Sequence, residues 1–501
     1  MSLPLVSGSY LKIDSTIGLG ARKLVLERKK MLNDFSEWFH QTLGRAEIVD
    51  YRFPVKGCGV WLGYGMKLRN NTLNRMRFLL DESGHEEMLF PTFVPQDLLA
   101  KEATHVKSFE GEAYWITHGG YNLLDVRLAL RPTSEAIITP MIKLWTRSHA
   151  DLPRKIYQIG SIFRYETKAT KPLIRVREVS TFKEAHTFHA THQDADAQVK
   201  AAISIYKRFF DELLLPYSIS ARPAWDRFAG AINSVAFDTV FPDGKILQIG
   251  TVHDLGQNFS KAFDATFETK EGTQDHLWQT SYGISERVIA ALVAVHGDDH
   301  GLILPPQVAP IQVAIVPIPF KGKGDTVNEA GRKVQGILLS LGLRAVLDDR
   351  PAITPGSKYY QWELKGVPLR IEIGPMEVEK GEVTLVTRTA RKKLQIKIES
   401  LPASVKEAFD GVEKEMKEEA WAWLRSHLRA AQTLDNAKEL IESGGGIVEV
   451  PWCGNGDCGT KIEEKLDVRV LGTPVDHSRV QGRCVICGGE GKESLRLAKA
   501  Y

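Results

Sequence analysis

An α+β fold, with antiparallel strands framed by helices rather than a doubly wound sheet, is predicted by three observations. Residues 156–165 alternate like a strand, a basic proline-containing loop follows at 168–177, and residues 178–188 return as a second strand. The strand-borne Arg164 sits beside a glutamate in Phe163-Arg164-Tyr165-Glu166. Arg287, in Gly283-Ile284-Ser285-Glu286-Arg287, opens the apolar helical run 288–293. A cation in a helix's first turn opposes the helix dipole, and a residue kept against a local rule is a functional candidate. Two such guanidinium groups suit gripping a triphosphate from two sides.

The elements follow in order. Residues 1–33 form a lead-in in which 21–32 can be a basic helix or a solvated segment. Leu73, Met76, Arg77 and Leu80 fall at helical spacing, and Gly84 supplies a stop. Residues 88–94 read as a strand that carries Pro91. Pro305, Pro306 and Pro310 mark a boundary, so 34–304 is taken as one domain. Residues 305–403 then alternate as strand 311–318, helix 327–341 stopped by Gly342, strand 344–349, helix 358–364 and strands 369–373 and 382–388. That pattern predicts a compact α/β module with a mostly parallel sheet. A charged helix opens the last domain, 404–501, which ends in a cysteine-bearing unit.

A chain of 501 residues suits about three domains. A net charge of only +3 means that any nucleic-acid partner must be held by local basic patches. No apolar run near ~18 residues occurs and the N-terminus lacks a secretory order, so neither a membrane span nor export is expected. The five cysteines, an odd number, argue for a reducing compartment rather than a disulfide framework.

Cys453 and Cys458, followed after 25 residues by Cys484 and Cys487, can supply four thiolates to a tetrahedral zinc with no open position, hence a structural one. His186, His189 and His192 also invite a metal reading, but residues three apart on a strand point to opposite faces. His296-Gly297-Asp298-Asp299-His300 lies where a helix ends, so capping is the simpler reading. Thr133-Ser134-Glu135 would, alone, be only a helix start.

The order of these segments resembles the class II aminoacyl-tRNA synthetases. Gly84-His85 through Phe90-Pro91 is similar to their first motif, Phe163-Arg164-Tyr165-Glu166 to the second, and Gly283 to Arg287 to the third. Within that class, Arg131-Pro132-Thr133-Ser134-Glu135, Arg227-Phe228-Ala229-Gly230, His296-Gly297-Asp298-Asp299, Trp362 to Pro368 and the terminal Lys499-Ala500-Tyr501 resemble prolyl-tRNA synthetases of the archaeal and eukaryotic type. So does the run Leu247-Gln248 through Thr251, His253, Leu255, Gly256 and Gln257. The resemblance implies an antiparallel-sheet catalytic domain, an α/β anticodon-binding domain and a C-terminal zinc-binding domain. It implies a cytoplasmic homodimer that joins L-proline to tRNA(Pro) with ATP and Mg²⁺.

By carry-over, Thr133, Glu135, Arg164 and His253 line the proline site, with Arg164 and Arg287 catalytic. Arg164, Glu166, Arg175, Gln248, Thr251, Ser285 and Arg287 hold ATP, and Cys453, Cys458, Cys484 and Cys487 hold zinc. Asp349, Arg350, Lys358, Glu363 and Lys365 are candidates for reading the anticodon, although Glu363 and Lys365 can also be surface ends of a helix. Tyr501 is a candidate for docking near the catalytic site. Two alternatives stay open, a non-catalytic synthetase-like tRNA-binding protein and a class II synthetase for another amino acid.

Three departures from the family pattern stand out. Phe182 stands where a tryptophan is usual, in a stretch that is one residue longer, so the side chain that stacks on adenine is left open. Residues 61–69 are unlike the family's usual sequence. Arg164 and Arg287 are too close in sequence for the large editing insertion of the bacterial type. A pocket fitted to proline discriminates weakly against smaller side chains, so some activation of alanine or cysteine is expected.

Overall fold

The computed structural model describes residues 34–101, 110–319, 324–475 and 480–501. The basic stretch 21–32 lies outside the described residues. The dominant feature is an eleven-stranded sheet. One half of it runs Ser218–Ala221, Asn233–Val240, Ile246–Gly256, Trp278–Ile284, Glu178–His189 and Arg154–Phe163, every neighbouring pair antiparallel. Glu86–Glu87 closes one edge by a parallel pairing with Arg154–Phe163.

The helix Arg287–His296 lies against this sheet with Val288, Ile289, Ala290, Ala291, Leu292, Val293 and Ala294 all buried. A helix apolar on every side can only be a core helix. The helix His192–Glu212 covers the same layer through Tyr206, Phe209 and Phe210. Gly63–Glu82 is the long helix expected around Leu73, and Gly84, at φ +79°, ends it.

The reading of 88–94 as one strand is corrected. Glu86–Glu87 and Phe93–Pro95 are separate short strands in different sheets, and the chain between them is irregular. Pro91 has no N–H for a ladder, and the carbonyls of Phe90 and Pro91 accept instead from the Arg131 guanidinium.

The second module has five strands, with Val313–Pro317 at its core between Ala345–Leu347 and Leu369–Ile373. These two pairings are parallel, but Glu382–Thr387 and Lys393–Lys397 add antiparallel ones. The sheet is therefore mixed rather than mostly parallel. The last strands are joined by a tight connection, which cannot make a parallel crossover. The helix Leu401–Ser426 presents one buried stripe of Leu401, Val405, Ala408, Val412, Met416, Ala420 and Leu424.

The C-terminal region does not stand apart. Its strand Arg469–Pro474 pairs with Ser218–Ala221 and extends the same sheet through Glu493–Ala498, Ile447–Trp452 and Leu428–Ala430. Arg496, fully buried, ties the seam. It donates to Glu449 at 2.8 Å, to Ser218 Oγ at 2.8 Å and to the Ile219 carbonyl at 2.7 Å. Among the described residues, no helix is long and apolar enough to cross a membrane.

Candidate active site

Arg164 and Arg287 open onto one cavity of about 390 Å³, which Thr133, Glu135, Glu166, Gln248, Thr251, His253 and Ser285 also line. An adjoining cavity of about 310 Å³ shares Glu166, Gln248 and Arg287 and adds Arg175, Lys168 and Tyr501. Every residue singled out for proline and ATP thus borders this joined space.

The strand Ile246–Gly256 shows how. Gln248, Thr251 and His253 cannot share a face on a regular strand, because 248 and 251 differ in parity. The register with Asn233–Val240 skips Ile249, pairing Phe237 with Gly250 and Asp238 with Gln248. That bulge restores the phase, so all three side chains reach the cavity.

The guanidinium groups are held by carbonyls. Arg164 Nε donates to Pro132 O at 3.2 Å, and Arg287 Nε donates to Ile174 O at 2.9 Å. Burial pulls the Arg287 pKa down to about 10, and the neighbouring Arg164, Arg175 and Arg469 add repulsion. Burial also lowers Arg164, against the field of Glu112, Glu166, Glu135 and Glu184. This is a concentration of positive charge that a polyanion would relieve.

The same cavity also holds a carboxylate. Glu135, buried at the start of the helix Glu135–Trp145, accepts from the Thr133 hydroxyl. Behind it Glu184 accepts from Ser134, from Gln158 at 2.8 Å and from His186 at 3.1 Å. His253 bonds Ser234 Oγ at 2.8 Å and lies 4.9 Å from the Phe228 ring. Burial, with Arg222 and His186 nearby, holds its pKa down at about 3, so the imidazole is neutral at physiological pH. Gln248 Oε1 accepts from Arg222, which also pairs with the buried Asp238 at 3.0 Å. That leaves the Gln248 NH₂ group as the donor for a ligand.

Sequence reasoning missed Glu184, Arg469 and Trp225, and had named Phe182 and Tyr501 without placing them. Glu184 sat inside a strand with only the polar pair Lys183-Glu184 as a signal. Phe182 borders the cavity, and a Cβ on Gly283 would lie 3.4 Å from its ring. Arg469 comes from the C-terminal region and pairs with Asp226 at 2.8 Å. One residue before Asp226, Trp225 donates to Glu463 at 3.1 Å and lies so close to the cysteine unit that any Cβ on Gly459 would approach its ring to 2.2 Å. Tyr501 caps the second cavity. Its hydroxyl donates to Asp243 at 2.7 Å, and the Lys171 ammonium lies 4.6 Å from its ring.

The remaining motifs resolve elsewhere. Cys453, Cys458, Cys484 and Cys487 bring their four Sγ atoms within 4.8 Å of one another, a spacing that a tetrahedral thiolate site for zinc requires. Burial raises the Cys484 thiol, but the N–H groups of Cys487, Ile486 and Cys453 outweigh it and hold the pKa near 6. His186, His189 and His192 diverge to Glu184, Thr187 and Asp254. His296 bonds the Leu213 carbonyl at the end of its helix, which Gly297 caps.

In the second module, Asp349 and Arg350 are about half exposed. Lys358 is buried and donates to the Asp348 carbonyl at 2.8 Å. Glu363 pairs with Arg370 at 3.2 Å, and Lys365 reaches Glu47 of the catalytic domain at 2.8 Å.

An antiparallel sheet backed by a buried helix, with one arginine from a strand end and one from a helix start meeting a carboxylate in one cavity, defines a class II aminoacyl-tRNA synthetase. Residues 114–296 match the tRNA synthetase class II core domain (G, H, P, S and T), 312–408 the anticodon binding domain, and 434–501 the prolyl-tRNA synthetase C-terminal family. The proline–tRNA ligase of Sulfolobus acidocaldarius is 54% identical over 481 residues, 95% of this chain and 100% of that one. That of Ignicoccus hospitalis is 53% identical over 473 residues, 93% and 98% of the two chains. Among solved structures, Giardia lamblia prolyl-tRNA synthetase in complex with prolyl-adenylate superposes with a TM-score of 0.91 at 37% identity, covering 94% of this chain and 99% of that one. The Cryptosporidium parvum prolyl-tRNA synthetase complexed with halofuginone and AMPPNP gives 0.90 at 31% identity, with the same coverage of both chains. The chain belongs to the proline–tRNA ligase family.

Proposed function

We propose that this enzyme attaches L-proline to tRNA(Pro) in two steps through a prolyl-adenylate. The observation that carries the reading is the cavity, which brings Arg164, Arg287 and the Thr133–Glu135 pair to the border of one space. Proline is a zwitterion with a secondary ammonium. Glu135 takes that charge and Thr133 the second N–H. Arg164 lies between the amino-acid carboxylate and the α-phosphate, and Arg287 meets the outer phosphates with Arg175. Gln248, Thr251 and Ser285 fix the nucleotide, Glu166 faces its base, and the neutral His253 with Phe228 walls the ring pocket. Phe182 adds an aromatic ring to the cavity wall.

The proline carboxylate oxygen attacks the α-phosphorus and pyrophosphate leaves. The nucleophile is already ionised, so no protein base is needed, and catalysis reduces to positioning and charge stabilisation. A terminal ribose hydroxyl of the tRNA then attacks the prolyl carbonyl and AMP leaves. Mg²⁺ entering with ATP would neutralise phosphate charge.

Zinc on Cys453, Cys458, Cys484 and Cys487 is structural, holding the unit that clasps Trp225. The half-exposed Asp349 and Arg350 contact the guanines of the anticodon, with Lys358, Glu363 and Lys365 supporting them from within the module and its junction. A homodimer formed through the first motif is supported by Leu89 at 78% and Phe93 at 53% exposure on either side of Pro91.

Proline-dependent ATP–pyrophosphate exchange, followed by charging of tRNA(Pro), tests the whole reading. Exchange with another amino acid at proline's efficiency would reject it. Alanine and cysteine should each give exchange roughly 10–200-fold weaker than proline. No signal above blank for either would remove that part alone.

A further inference from the structure

We infer that Arg469, supplied by the C-terminal region, binds phosphate oxygens of the nucleotide, and that Trp225 and Glu463 are the positioning residues that seat it. The inference rests on the nucleotide reading of the joined cavity.

Arg222, Arg287 and Arg469 each border both parts of that space, together with Glu166 and Gln248. The three arginines are held differently. Arg222 is buried and committed to the protein, donating to the Leu471 carbonyl at 2.8 Å, to Asp238 at 3.0 and 3.1 Å and to Gln248 at 3.0 Å. Arg469 keeps a side chain that is 48% exposed, and its Nη2 donates to Asp226 Oδ1 at 2.8 Å. A guanidinium carries five N–H groups, and an ion pair so open to water is held weakly. Asp226 therefore orients Arg469 without exhausting its donors. The charges agree with this placement. Burial is the first cause of the lowered Arg287 pKa, and repulsion from Arg164, Arg175 and Arg469 adds to it, so Arg469 belongs to the same positive field. The planar fork of a guanidinium matches phosphate oxygens.

One carboxylate builds the seat. Glu463, on the helix Gly456–Leu466, accepts from Trp225 Nε1 at 3.1 Å through Oε2 and from the Val470 N–H at 2.8 Å through Oε1. Trp225 directly precedes Asp226, and Val470 directly follows Arg469. Glu463 thus fixes a chain neighbour of each member of the Arg469–Asp226 pair. The Trp225 ring also meets Trp452 edge-on, with centroids 6.1 Å apart. Further along, Thr473 pairs with Ala221 and Pro474 with Ser220, so the strand seam and the Glu463 bridge hold the same two segments together. Neither Trp225 nor Glu463 borders the joined cavity, and their effect on it passes through Asp226 and Arg469.

The test is exchange kinetics of the full-length enzyme with ATP, pyrophosphate and proline varied separately. Arg469→Ala is expected to raise the KM for ATP and for pyrophosphate about tenfold, with less than about twofold change for proline, as when a charged hydrogen bond to one ligand is lost. Arg469→Lys keeps the charge and should recover part of the loss. Trp225→Phe, which keeps a ring and loses the N–H to Glu463, should raise the ATP KM roughly two- to threefold and add nothing in the Arg469→Ala background. A merely structural role would lower the melting temperature and the active fraction of all three variants without splitting the KM values, and that result overturns the inference. So does a loss confined to tRNA charging with exchange intact, because the phosphate met would then be the tRNA's. Arg287→Ala separates the layers. If it cripples exchange and Arg469→Ala leaves both phosphate KM values unchanged, the inference is wrong and the nucleotide reading stands. If neither variant affects exchange, the nucleotide reading fails as well. Should Arg469→Ala not fold, Arg469→Gln and Arg469→Lys decide, and an unaltered ATP KM in both overturns the inference.

Discussion

Two sets of arginines in this molecule are held in opposite ways. At the junction with the anticodon-binding module, Arg388 is almost wholly buried and grips both oxygens of Asp298, at 2.9 and 2.5 Å. In the same module Arg350 is bound by Asp348, which raises its pKa. In the cavity, Arg287 rests on a carbonyl among other arginines, and its pKa is lowered. The first kind is complete without a ligand. The second carries a repulsion that binding removes, which is how an anion site differs from a structural ion pair.

The strongest way to break this comparison is to delete one arginine of each kind. Arg287→Ala should slow proline-dependent pyrophosphate exchange by about 10²–10³-fold, as expected when one preorganised charge is taken from a transition state. Its chemical stability should be unchanged or slightly higher, since like-charge repulsion goes with it. Arg388→Ala should do the reverse. It leaves Asp298 without its main partner and should cost about 2–4 kcal/mol of unfolding free energy, while exchange by the folded fraction changes little. Denaturant melts and exchange rates on both variants check this, and matching profiles would remove the distinction.

A second effect sharpens it. Pyrophosphate at about 100 times its Kd should stabilise the wild-type enzyme by about 2.7 kcal/mol. In Arg287→Ala that stabilisation should fall by at least half, and in Arg388→Ala it should persist. Thermal melts with and without the anion give the answer. An equal shift in all three proteins would mean that the cavity arginines do not meet phosphate.

The parts of the site legible in sequence were those with local signatures. The hairpin around 168–177 showed itself by alternation, Arg287 by its clash with the helix dipole, and the cysteines by spacing. Bulges left no such trace. Nothing in the composition around Ile249 announces the skipped pairing that brings Gln248 into line with Thr251. The extra residue near Phe182 was noticed only as a departure from a pattern, and so was the odd segment 61–69. That the two touch is a fact of tertiary structure. Arg469 and Trp225 were invisible for the same reason. The seam between Arg469–Pro474 and Ser218–Ala221 joins strands some 250 positions apart, and pairing at that distance has no local code. The mixed order of the second sheet depended likewise on which strands meet rather than on what each contains.

The smallest expected effect is a pH dependence beside the cavity. Burial raises the Glu286 carboxyl from 4.5 to about 7, with Thr181, Ser180 and Arg69 opposing it. In the folded enzyme Glu286 therefore keeps its proton to about neutrality, whereas in the unfolded chain it releases it near pH 4.5. The folded state binds more protons across that window, so this group's contribution to stability is full below pH 4.5, declines as pH rises towards 7, and is flat above. Glu286→Gln keeps the shape and cannot ionise. Between pH 5 and 8 the wild type should lose about 1–2 kcal/mol relative to that variant, less than the full linkage value because Arg69 stands close to the charge that forms. Denaturant melts of both proteins across this range measure the difference. A constant gap would show that Glu286 is already ionised at pH 5, and that a buried anion rather than a neutral acid links the strand Glu178–His189 to Arg287.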